Sequence, residues 1–211
     1  FLNAELLSPR PFLASGISAG AEADAVLDCY RVLVAHRARC GDAGLGALIV
    51  SMTRGTADLL TVYLLAREAG LMEMRADGLA CPLPVVPLFE TIEDLSNAAA
   101  VMQELYNFPL YREHIKRRGN KQTVMLGFSD GTKDGGYLMA NYSIFHAKQS
   151  LTAVSAKYQI DVVFFDGRGG PPARGGGNAH LSAGQKNARK ASAFRKDLEC
   201  SKCDQSVEGD F

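Results

Sequence analysis

The chain has 211 residues, 47% of them hydrophobic, and a formal net charge of zero. That is enough apolar material for one large domain or two small ones, while the neutral balance gives no overall pull toward nucleic acid or an anionic membrane surface. No apolar run reaches the roughly 18 residues of a membrane span, and the opening residues Phe1 to Glu5 carry neither the basic nor the hydrophobic part of a secretory signal. Five cysteines at irregular spacing argue against a disulfide framework and for a reducing, cytoplasmic setting. The absence of an initiator methionine leads to the expectation that the chain is a piece of something larger.

Residues 1 to 20 read as irregular, because Ser8 to Pro11 favours extended or turning backbone and Ser15, Gly16, Ser18 and Gly20 interrupt any long element. From about Glu22 to Arg39 the apolar positions Val26, Leu27, Tyr30, Leu33 and Val34 fall at helical spacing, and Gly41 and Gly44 stop that helix. Residues 1–45 are thus a lead-in and a helix. Residues 46–180 then read as four strand–helix units. Ala47 to Met52 is a buried strand, with a helix from about Ala57 to Ala69. Val85 to Phe89 is a second strand ending in Glu90, with a helix from about Ile92 to Tyr106 that Thr91 can cap and whose first turn holds Glu93 and Asp94. Val124 to Phe128 is the third, with a helix from about Tyr137 to Tyr158, and Asp161 to Phe165 the fourth. Pro87 sits awkwardly in the second strand, since proline removes a ladder donor.

Strands alternating with helices imply a parallel α/β sheet with right-handed crossovers. Every charged loop then lies at the carboxyl end of the strands, where such folds place their chemistry. Four units are half of the eight that a β/α barrel needs, so the expected fold class is part of a parallel β/α, TIM-like barrel with long helices, left with two open edges. Residues 181–211 differ in character: basic side chains among Ala and Ser, then Cys200 and Cys203. One short surface helix, a disordered tail or a segment foreign to the core all fit.

Four features carry possible chemistry. Glu90 and Asp130 are carboxylates at neighbouring strand ends, hard-oxygen ligands suited to Mg²⁺ or Mn²⁺; each could instead cap the helix that follows it. Lys133, three residues after Asp130, could serve phosphate as a point charge or donate to a developing enolate, or simply be a solvated side chain. The stretch GRGGPPARGGG from Gly167 to Gly177 offers backbone N–H groups to an anion and two guanidinium forks, Arg168 and Arg174; a flexible linker or an RNA-binding segment is the alternative. Its direct attachment to a buried strand favours an ordered anion site. The single Cys200–Cys203 pair is half a zinc site and takes no role. His36, His114 and His146 lie in or beside helical stretches and read as surface or packing residues, while His180 follows the glycine loop.

Several of these stretches resemble one family. MLGFSDGTKDGG from Met125 to Gly136 resembles the lysine active-site signature of phosphoenolpyruvate carboxylase. FDGRGGPPARGGG from Phe165 to Gly177 resembles its glycine-rich loop, and VPLFETIEDL from Val86 to Leu95 its metal-ligand segment. Val50 to Met52 and the Ser8 to Pro11 lead-in fit as well, in the same order, as far as about His180. The resemblance implies a helix-rich enzyme built round a β/α barrel, of which this chain is an internal fragment, inactive in isolation. It implies Mg²⁺- or Mn²⁺-dependent carboxylation of phosphoenolpyruvate by bicarbonate to oxaloacetate and phosphate, in a cytoplasmic, homotetrameric, allosteric parent that engages neither nucleic acid nor membrane. Glu90 and Asp130 match the metal ligands, and Lys133 matches the active-site lysine. Arg168 and Arg174, with Gly169 and Gly170 between them, match the loop that serves the phosphate and the carboxylated intermediate. Asp166 stands where the family often has histidine, and Gly131 where its signature has serine. Another metal- and phosphate-handling barrel enzyme, or an inactive fragment that binds anions or a partner, are the competing readings.

Overall fold

The computed structural model describes residues 1–8, 10–14, 17–18, 20–42, 44–75 and 78–167. In chain order the elements are α1 (Leu2–Leu7), α2 (Ala21–Cys40), β1 (Leu48–Val50), α3 (Thr56–Glu68), β2 (Glu73–Arg75), β3 (Gly78–Ala80), β4 (Val85–Phe89), α4 (Ile92–Asn107), α5 (Pro109–Arg117), β5 (Lys121–Gly127), α6 (Ser129–Lys157) and β6 (Asp161–Gly167). β1, β4, β5 and β6 form one four-stranded sheet in that order, with every pair parallel. β2 and β3 form a separate antiparallel pair. The chain is therefore mixed α/β with a parallel sheet, and the four expected strands are its four members.

The strands present two unlike faces, because successive side chains alternate. Leu48, Val50, Val85, Phe89, Val124, Leu126, Val162 and Phe164 join one apolar cluster with Leu95, Ala98, Met102 and Leu105 of α4 and Ala140, Ile144, Ala147 and Leu151 of α6. On the other face Ile49 is 52% exposed and Phe165 56%. One face is packed under helices and the other is open.

Pro87 does lie inside the sheet, in β4 between β1 and β5. Leu88 turns both backbone groups toward β1, where its N–H meets Thr53 Oγ1 at 3.3 Å and its carbonyl accepts from Thr53 N–H at 3.0 Å. By alternation the Pro87 nitrogen faces β5, and the β4–β5 ladder begins only at Leu88 opposite Met125. The buried side chain of Gln122 fills the gap. Its Nε2 donates to Val85 O at 3.2 Å and to Thr123 O at 2.7 Å, while its Oε1 accepts from the Tyr111 hydroxyl. A side chain replaces the ladder bonds that proline withholds.

Three expectations are corrected. Residues 1 to 20 are not wholly irregular, since Leu2–Leu7 is helical. Its terminal carbonyls are satisfied from far along the chain: Arg67 Nη1 donates to Glu5 O, Leu6 O and Ser8 O at 2.6, 3.2 and 3.1 Å. A second helix, α5, follows α4; it begins on Pro109 and buries Leu110, Tyr111, His114 and Ile115. Finally, the helix after β5 begins at Ser129 rather than near Tyr137, with a break at Gly136 (φ 76°, ψ 171°), a conformation that glycine alone adopts freely. The expected Thr91 cap is present: its side chain accepts from Asp94 N–H at 3.1 Å, and Asp94 Oδ2 accepts from Thr91 N–H at 3.1 Å.

Candidate active site

The carboxyl ends of β1, β4 and β5 meet at Glu90. Phe89 pairs with Leu126 and Gly127 with Gly167, so Glu90, Gly127 and Gly167 follow at one level along the strand ends. Glu90 belongs to the open face, in step with Leu88, and Ser51 joins it there from the end of β1. Glu90 Oε1 accepts from Ser51 Oγ at 2.5 Å and from Met52 N–H at 3.3 Å. Gly127 is required by this close approach: a Cβ there would lie 3.1 Å from Glu90 Cα and 3.2 Å from its Cγ. At Gly131 a Cβ would lie 3.4 Å from Glu90 O. The β5–α6 turn is folded down onto Glu90.

That turn carries the other expected residues. Residues 129–135 form the first segment of α6, ahead of the Gly136 break. Within it Lys133 Nζ donates to Asp130 Oδ1 at 2.7 Å, with side chains 74% and 41% exposed. Thr132 Oγ1 donates to Phe128 O at 2.7 Å, and Asp134 Oδ2 accepts from Ile92 N–H at 3.3 Å. Asp134 thus ties the segment to the start of α4, beside Glu90. The structure brings together Glu90, Asp130 and Lys133 on adjoining strand ends. Arg168, Gly169, Gly170, Arg174, His180, Cys200 and Cys203 lie outside the described residues.

Asp166 is placed differently. It pairs with Leu126 across the sheet, which puts it on the helix-covered face, opposite to that of Glu90. Lys148 of α6 bonds it at 2.7 Å to Oδ1 and 2.9 Å to Oδ2 and sits 5.8 Å from the Phe164 ring centroid. His114 is buried with its ring 5.4 Å from that of Tyr63, and the His146 ring lies 4.6 Å from that of Tyr142. His114 is a packing residue, and His146 lies exposed at the surface.

The donor set fits a hard divalent cation. Among the described residues no group of three or more His, Cys, Asp or Glu side chains gathers to hold a metal. Glu90 and Asp130, on neighbouring strand ends, are donors of the type such a cation takes, one or two carboxylates with the other positions left to water and substrate oxygens. The glycine cradle at Gly127 and Gly131 keeps bulk away from Glu90, and the Lys133 ammonium lies against Asp130. Sequence reasoning missed Ser51, Met52, Gly127 and Asp134 as parts of this arrangement. The signals were a glycine in an otherwise apolar strand, which marks close backbone approach, and the place of all four residues within the family-like stretches Val50 to Met52 and Met125 to Gly136.

Comparison with known proteins points to one family. The family model described as phosphoenolpyruvate carboxylase matches residues 1–184. Among curated relatives, phosphoenolpyruvate carboxylase of Rhodothermus marinus is 41% identical over 186 residues, covering 85% of this chain and 20% of that protein. That of Thermus sp. (strain 71) is 45% identical over 178 residues, covering 84% and 19%. Phosphoenolpyruvate carboxylase 2 of Chlamydomonas reinhardtii is 40% identical over 191 residues, covering 86% and 15%. The chain spans no more than about a fifth of the length of these relatives.

Proposed function

The chain belongs to the phosphoenolpyruvate carboxylase family, and from that premise we propose that it supplies one wall of an enzyme that carboxylates phosphoenolpyruvate with bicarbonate, yielding oxaloacetate and phosphate, in the cytoplasm. The observation that carries this reading is the juxtaposition of Glu90, Asp130 and Lys133 on adjoining strand ends, within a family match covering residues 1–184. The four strands lie in the sheet in chain order. That suits an arc of a β/α barrel better than a doubly wound sheet, whose order reverses at its switch point.

In this reading Glu90 and Asp130 hold Mg²⁺ or Mn²⁺. The bound cation supplies charge stabilisation for the phosphoryl and enolate oxygens. Lys133, on an exposed three-residue tether from Asp130, meets the substrate phosphate or the carboxylating carbon's oxygens as a point charge. Arg168 and Arg174, in the glycine-rich stretch that follows β6 in the sequence, would supply guanidinium forks for phosphate and carboxylate.

The test is bicarbonate-dependent oxaloacetate formation by the full-length protein, followed by coupled oxidation of NADH in the presence of Mg²⁺ and phosphoenolpyruvate. Lys133→Ala and Arg174→Ala should each lower kcat/KM by about 10²–10³-fold, the scale of a lost transition-state donor. Wild-type kinetics in both variants would remove the assignment.

A further inference from the structure

We infer that Ser51 and the backbone N–H of Met52 are positioning groups for Glu90, and through it for the divalent cation; the inference rests on the metal role proposed for Glu90. Neither group belongs to the charged residues that mark the site in sequence, and both come from the end of a different strand.

Three observations carry it. First, both donors converge on one oxygen: Ser51 Oγ at 2.5 Å and Met52 N–H at 3.3 Å from Glu90 Oε1. Two donors on one carboxylate oxygen fix the rotamer and leave Oε2 to face a cation, the arrangement by which outer-shell groups orient a ligand. Second, Met52 has φ 52°, in the left-handed region that an L side chain seldom occupies. A strained residue of this kind persists only where its surroundings hold it, and it concentrates at functional sites. Third, the surroundings that hold it are visible. Thr53, fully buried, donates its hydroxyl to Val50 O at 2.8 Å, accepts from Leu88 N–H, and gives its own N–H to Leu88 O. The chain leaves β1 at Val50, steps through Met52 and returns to β4 at Thr53. The left-handed step turns the Met52 N–H to Glu90 without losing the ladder. Gly127 completes the clamp from the opposite side by letting β5 close on Glu90.

The test uses Mn²⁺ binding to the full-length protein without substrate, followed by electron paramagnetic resonance. Ser51→Ala should weaken Mn²⁺ affinity about 10–100-fold, and Ser51→Thr, which keeps the hydroxyl, should restore it to within about threefold. In steady-state kinetics Ser51→Ala should raise the Mn²⁺ concentration for half-maximal activity by the same factor, with kcat at saturating Mn²⁺ nearly kept. Ser51 is exposed, so its melting temperature should not move, and a fall in both kcat and melting temperature would mark a structural role and overturn the inference. Wild-type Mn²⁺ affinity in Ser51→Ala, beside a loss in Glu90→Gln, would overturn it while leaving the metal role of Glu90 standing. Wild-type affinity in Glu90→Gln and Asp130→Asn would remove the metal reading, and this inference with it.

Discussion

Glu90 shows how one side chain can be specified by its neighbours' lack of bulk as much as by its own charge. At Gly127 an added Cβ would meet Glu90 backbone at 3.1 Å, and backbone in a paired strand cannot yield as a flexible side chain would. Gly127→Ala should therefore cost about 1–3 kcal/mol of stability, the scale of overpacking. Thermal unfolding measures that, and Mn²⁺ titration should show the affinity falling with it. At this scale the sequence was informative about charge and blind to company. Glu90 and Asp130 could be picked out because each stands at the end of an apolar run, and Lys133 because it follows Asp130 by three residues; the structure sets them on adjoining strand ends. The bond from Ser51 to Glu90 spans 39 positions and has no periodic or compositional trace. Asp166 is the converse: it stands where the resembled family often has histidine, and one step of strand alternation puts it on the far face, against Lys148.

Elements were legible where their signals are local. Apolar runs marked β1, β4, β5 and β6, and the Thr91–Asp94 capping box marked α4. α1 was not legible because what closes it is Arg67, some sixty residues on. α5 carried a fair signal, proline at its first position, hidden by its direct succession to α4. The lead-in depends on the same region of α3. Glu68 accepts from Phe12 N–H at 2.9 Å and Leu13 N–H at 3.1 Å and pairs with Arg67 at 2.8 Å. Burial pushes its carboxyl up, but the Leu13 N–H, the Arg67 guanidinium and the Phe12 N–H together outweigh that and hold it below its ordinary value of 4.5. A lowered folded-state value means the stabilisation is fully present above the ordinary value and is lost as pH falls through the lowered one. Acidification through that lowered value should release the lead-in, seen as faster hydrogen exchange at the Phe12 and Leu13 amides. Glu68→Gln should show faster exchange at neutral pH and no further acid step.

For the molecule as a whole, the unequal faces of the sheet dominate. Ile49 and Phe165 are more than half exposed on the open face, beside the half-buried Leu88 and Met125, and a contiguous apolar patch of this kind binds hydrophobic dyes. In the isolated chain the double variant Ile49→Ser, Phe165→Ser should lower dye fluorescence markedly and leave the melting temperature nearly unchanged, because neither side chain joins the helix-covered core. Parallel pairing and strand order were readable from the alternation of strand and helix. Which face stays open was not, because near-continuous apolar strands give both faces the same composition.

The order of the sheet has one more consequence. Each strand pairs with the strand of the sheet made just before it, and the helices between them pack onto that same pair. No pairing waits for a distant stretch of chain, so the loop each new strand must close stays short. Such a sheet can be laid down in the direction of synthesis, one unit at a time as the ribosome releases it. On that route the Ser51–Met52 turn is fixed as β4 arrives, because Leu88 supplies two of the bonds that hold Thr53, and Glu90, two residues on, docks into a receptor its own strand has just shaped.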